Sequence, residues 1–120
     1  MTVNRLEDYL EHISEAARLA LSYVADLDKK AFLADKRPQQ ADTLNIVVIG
    51  EAATKISTEY PDFIVRHPSA PWKSMKGMRH RIAHGYFDID LDIVWATVQT
   101  ALPPLVDQLT ALHASLQQDS

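Results

Sequence analysis

Arg79 and His84 are the two side chains in this sequence best suited to chemistry on a phosphate. They lie in the stretch Pro71-Trp72-Lys73-Ser74-Met75-Lys76-Gly77-Met78-Arg79-His80-Arg81-Ile82-Ala83-His84-Gly85-Tyr86. No acid occurs between Asp62 and Asp88, and five of the twelve Lys and Arg residues (Arg66, Lys73, Lys76, Arg79 and Arg81) fall in that gap. So do three of the five histidines, His67, His80 and His84. The chain as a whole carries a net charge of −4, so this is a local cationic site on an acidic protein, suited to a phosphate-bearing partner. An imidazole titrates near neutrality and can take the proton from a 2′-hydroxyl of RNA. A guanidinium can stabilise the charge that grows on the phosphorus oxygens. That chemistry needs no metal and no cofactor.

Structural readings of the same residues stand beside this one. Arg79 falls four residues after Met75 and three before Ile82, and so interrupts an apolar stripe. A guanidinium cannot escape burial by deprotonation and needs a partner or an open cleft. Glu51 follows Val47 by four and Val48 by three, which points it inward with them and makes an ion pair with Arg79 the simplest structural account. His84 can equally be a helix C-terminal residue favoured by the helix dipole. His80 and His84, four apart, share a helix face but have no third metal ligand nearby. Lys73, Lys76 and Arg81 are either solvated charges or RNA contacts, and Tyr86 can simply pack under the corner. On a regular helix, Arg79 and His84 are separated by about 140° of rotation and ~7.5 Å of rise. They converge on one phosphate only at a fraying helix end or across two copies of the chain.

The elements that position these residues read as helices throughout. Pro71 suits the first position of the basic helix, because the amide hydrogen it lacks would have no partner there. Gly85 suits the left-handed residue that ends it. Trp72, Met75, Ile82 and Ala83 form its apolar stripe. Upstream, apolar residues at spacings of three and four from Leu6 to Leu27 predict a helix over residues 4–27. Asp28 caps a short helix to Ala34 anchored by Phe32 and Leu33, and Arg37-Pro38 punctuates the chain. The run over residues 39–57 is apolar around most of its circumference (Leu44, Ile46, Val47, Val48, Ile49, Ala52, Ala53, Ile56), which predicts the central, most buried helix. Tyr60-Pro61 ends it, and Phe63, Ile64 and Val65 form a connector. After a turn with a capping Asp at residues 87–90, a last helix spans 91–116. Pro103 and Pro104 inside it predict a kink or break. The expected fold is all-α, an up-and-down bundle of four to five helices in one domain over residues 1–120.

Composition narrows the class. Hydrophobic residues make up 47% of the chain, enough for a core, and there is no cysteine, which excludes disulfides and thiolate metal sites. The N-terminus has no signal-peptide core, and no apolar run approaches the roughly 20 residues of a membrane span. A cytoplasmic protein with no membrane partner is expected.

The run Met78-Arg79-His80-Arg81-Ile82-Ala83-His84-Gly85-Tyr86 resembles the signature of the HEPN superfamily, and specifically of its HepT-like toxins: Arg, a polar residue, three more residues, His, one residue, Tyr. The polar position, commonly Asn in that family, is His80. Ile49-Gly50-Glu51-Ala52-Ala53, Pro71-Trp72 and the stretch from Val94-Trp95 to Leu102-Pro103 are similar to the same family, so the likeness covers nearly the whole chain.

The resemblance implies an all-helical, HEPN-like homodimer acting as a metal-independent RNase, with the motifs of both subunits lining a cleft at their interface. It implies Arg79 and His84 as the catalytic residues, with His80 and Glu51 supporting. It also implies a partner, a nucleotidyltransferase antitoxin of the MntA type, that transfers AMP to Tyr86. The alternative of a different class is a non-catalytic subunit that holds nucleotide or substrate for a nucleotidyltransferase.

Overall fold

Leu6, Leu10, Ile13, Ala17, Ala20 and Val24 recur every three or four residues and are all buried, so the first helix, α1 (Arg5–Val24), turns one continuous face to the core. The structure, a computed structural model, describes residues 5–83 and 88–118. The expectations for His84, Gly85 and Tyr86 therefore lie outside the described residues. Asp28 caps α2 (Lys29–Ala34), accepting a hydrogen bond from the Ala31 amide at 2.8 Å. Phe32 anchors α2, fully buried and 5.3 Å from Trp95 between ring centroids. Leu33, expected as a second anchor, is exposed.

Asp35 caps the long helix α3 (Lys36–Glu59) through the Arg37 amide at 3.0 Å. The helix thus begins before Arg37-Pro38 rather than after it. Pro38 sits in the first turn, where the missing amide hydrogen has no intrahelical acceptor and costs nothing. α3 runs antiparallel to α1, and the Tyr9 hydroxyl donates to Glu59 Oε2 at 2.8 Å across the pair. Small residues on both helices, Ala16, Ala17 and Ala20 on one and Ala52 and Ala53 on the other, are buried and let the backbones come close. The segment expected as a connector is a short helix, α4 (Pro61–Arg66), with Pro61 in its first turn.

α5 (Trp72–Ile82) begins one residue after Pro71, which is its N-cap. Trp72 fixes the entry to α5: its indole Nε1 donates to the His67 carbonyl at 2.9 Å, and its ring meets Phe63 edge-on at 6.0 Å. α6 (Leu91–Ala96) is capped by Asp90, which accepts from the Ile93 amide. It continues through a π-helical segment, Thr97–Ala101, into α7 (Leu102–Gln118). The break expected at Pro103 and Pro104 is therefore a π turn just before them. In an α-helix the two prolines would leave the carbonyls of Gln99 and Thr100 without donors. The wider turn, with the Leu102 amide bonded to the Thr97 carbonyl, absorbs that irregularity without ending the helix.

Four long helical legs (α1, α3, α5 and α6 with α7) and two short helices make up the described chain, an all-α bundle as expected. α3 is the hub, packing against α1, α2, α4, α5 and α6. Gly50 sets its distance from α5. A Cβ there would stand 3.3 Å from the Met75 carbonyl oxygen, a backbone atom, whereas a Cβ at Gly77 would meet nothing within 4 Å. Gly50→Val should therefore destabilise the fold by about 1–3 kcal/mol by forcing the two helices apart. Gly77→Ala should stabilise it by up to about 1 kcal/mol through helix propensity alone. Denaturant midpoints of the two variants against wild type check both signs.

Candidate nucleic-acid interface

The basic helix divides its residues by register. Trp72, Met75, Met78 and Ile82 are buried, so the apolar stripe runs through Met78 and not through Arg79. Arg79 lies on the edge of that stripe and is exposed. At 100° per residue, Lys76, His80 and Lys73 follow it around the outer face, and all three are exposed. Arg81 belongs to the far edge. Its guanidinium folds back along α5 to donate to the Ser74 carbonyl at 2.7 Å and to Ser74 Oγ at 3.2 Å. The cluster of cations in the sequence is thus a stripe of four, with Arg81 tied down on the other side.

Arg79 and His80 border a groove of about 780 Å³. One wall is α3, through Gln39, Gln40, Thr43, Leu44 and Val47; the other is the end of α5 and the segment leading into α6, through Ala83, Ile89 and Leu91. The end of α5 is held against that segment by an antiparallel bridge between Ala83 and Ile89, and the Asp90 amide donates to the Ile82 carbonyl at 2.7 Å. The residues that flank the motif in sequence are therefore fixed at the groove's rim. Lining it are two cationic side chains, three neutral polar ones, and no acid.

Two sequence expectations change here. Glu51 does not point inward: it is exposed, and among the described residues it makes no ion pair with Arg79. The reason lies in Val47, which lines the groove instead of the core, so the helical neighbour that placed Glu51 inside is itself on the outer face. α3 is central but not buried all round, since Leu44 is 64% exposed. The groove wall of Gln39, Thr43, Leu44, Val47 and Leu91 was not singled out from sequence. Its signal was the excess of apolar residues around α3, more than one core-facing stripe requires.

Asp42 is a second residue that sequence reading passed over. It is fully buried on α3, and neither carboxylate oxygen has a hydrogen-bond partner. Burial pushes its carboxyl up from 3.8 to about 7. No group of three His, Asp or Glu side chains among the described residues could hold a metal ion. Nor is any described helix long and apolar enough to cross a membrane.

An all-helical domain with an exposed cationic stripe beside an acid-free groove is the architecture of a phosphate-directed protein. Sequence comparison specifies the class: the ribonuclease HepT-like family matches residues 13–112. A probable ribonuclease HepT of Thermococcus cleftensis is 37% identical over 107 residues, 89% of this chain and 94% of the relative. A putative RNase of Methanocaldococcus jannaschii is 34% identical over 109 residues, covering 91% and 88% of the two chains. A putative RNase of Caldanaerobacter subterraneus is 30% identical over 101 residues, covering 84% and 88%. No solved structure matches the chain. The protein belongs to the HepT-like ribonuclease family.

Proposed function

We propose that this protein is a metal-independent endoribonuclease toxin that acts in the cytoplasm. The observation that carries the reading is Arg79, exposed at the edge of α5 and free of any ion pair among the described residues, beside a groove lined by no acid. In this reading His84 removes the proton from a 2′-hydroxyl, and the 2′-oxygen attacks the adjacent phosphorus. Arg79 stabilises the charge on the phosphorane oxygens. The P–O5′ bond breaks, leaving a 2′,3′-cyclic phosphate and a 5′-hydroxyl. Lys73, Lys76 and His80 line the approach and hold the RNA backbone. Arg81 contributes only if it leaves Ser74.

The working unit is a homodimer in which the motifs of both subunits face a shared cleft, because one copy cannot readily aim Arg79 and His84 at the same phosphate. A nucleotidyltransferase antitoxin of the MntA type silences it by moving AMP from ATP to the Tyr86 hydroxyl, with pyrophosphate leaving. The added negative charge and bulk then oppose RNA entry. The groove would also serve a non-catalytic nucleotide-holding subunit, and dependence of cleavage on His84 separates the two readings. Sedimentation at micromolar concentration should show a dimer that cuts a defined RNA. A monomer with full activity would refute the shared cleft.

A further inference from the structure

We infer that the groove beside Arg79 seats one unstacked base of the substrate RNA and prefers a base bearing an exocyclic amino group over uracil. The inference rests on the ribonuclease reading for its ligand, but on the groove alone for its selectivity. At about 780 Å³ the groove is within the range of small-ligand pockets, about 300–1,000 Å³. Leu44, Val47 and Leu91 give it apolar walls, which suit the faces of a base. Arg79 stands at its edge, where the phosphate joined to that base would lie. Single-stranded RNA is read in this way, with the base splayed out of the stack and its edge hydrogen-bonded.

The selectivity follows from how the polar groups are committed. Gln39 Nε2 donates to the Phe32 carbonyl at 2.9 Å, and Thr43 Oγ1 donates to the Gln39 carbonyl at 2.7 Å. Each side chain spends a donor on the backbone and keeps an oxygen able to accept. Two acceptors call for a donor on the ligand. The amino group of cytosine or adenine supplies one, whereas the O4 of uracil would face them oxygen to oxygen. A second copy of the chain is a poorer occupant. A two-fold axis through the groove would set Arg79 against Arg79, with no acid among the lining residues to relieve the repulsion.

Binding can be read without cleavage by using short 2′-deoxy oligonucleotides, which lack the nucleophile. Fluorescence anisotropy should show oligo-dC binding about tenfold tighter than oligo-dU, and oligo-dA about tenfold tighter than its analogue with purine in place of adenine. Thr43→Val keeps the shape, removes one acceptor and should narrow both gaps. Leu44→Trp, at a position exposed enough to spare the fold, should fill the groove and abolish the preference. Equal affinities in wild type would overturn the inference. So would a Leu44→Trp variant that changes sedimentation but keeps the preference, since that places a second copy in the groove. Base preference in a protein that cuts no RNA would leave the subsite standing and defeat the ribonuclease reading. RNA cleavage without preference would do the reverse.

Discussion

His84→Ala should lower RNA cleavage by about 10²–10⁴-fold, the usual contribution of a positioned general base. Arg79→Ala should cost about 10²–10³-fold by leaving the phosphorane charge uncompensated. Neither change should alter the fold: Arg79 is exposed and makes no ion pair among the described residues, and alanine is a good helix former at its position. Circular dichroism and thermal melting of Arg79→Ala should therefore match wild type while cleavage collapses. The reaction should continue in EDTA and stop on an RNA whose 2′-hydroxyl at the cut site is replaced by hydrogen. A magnesium requirement, or full activity in His84→Ala, would reject this mechanism and favour the nucleotide-holding subunit. The ends of the cut provide an independent check, because in-line attack by the 2′-oxygen must leave a 2′,3′-cyclic phosphate.

The largest stability effect should come from Asp42. Its carboxyl titrates near 3.8 in the unfolded chain and at about 7 in the folded one. Below the lower value both states hold the proton, and Asp42 contributes no pH dependence. Between the two values the unfolded state has lost its proton while the folded state keeps it, so stability falls as pH rises through this window. Above about pH 7 the loss is complete, at about 2–4 kcal/mol. Asp42→Asn keeps the shape and the buried polar group but cannot ionise. It should match wild type near pH 4 and exceed it increasingly up to pH 8. Denaturant unfolding across that range provides the measurement, and parallel stability curves would show that Asp42 is ionised and solvated in the folded protein. The same penalty bears on the groove, because Asp42 precedes Thr43 on α3, and loosening of that helix would move the groove wall.

Local physics explains why most of the fold was legible. A one-residue spacing rule places Leu6, Leu10, Ile13 and Ala17 on one side of a helix whatever surrounds it. Caps at Asp28 and Asp90 satisfy amides only three residues away. Helices built from such short-range terms can be read off the chain, and so can the irregularity before Pro103. The motif was legible for a related reason, since Arg79, His80 and His84 lie within six residues of one another.

What could not be read depends on which neighbour covers a face. α3 carries more apolar surface than its partners bury, and nothing in its own sequence distinguishes Ile46, fully buried, from Leu44, 64% exposed. That choice belongs to α1 and α5. Gly50 lets α5 approach on one side, and the absence of any helix over Leu44 and Val47 leaves the groove on another. The same ambiguity misplaced Glu51, whose side was inferred from Val47. Asp42 was invisible because burial without a partner can be seen only after every surrounding element is in place. Helix type, caps, prolines and the reactive residues are properties of neighbours in sequence, and the sequence alone determined them. The groove, the release of Arg79 from Glu51 and the buried acid are properties of neighbours in space, and only the tertiary structure decided them.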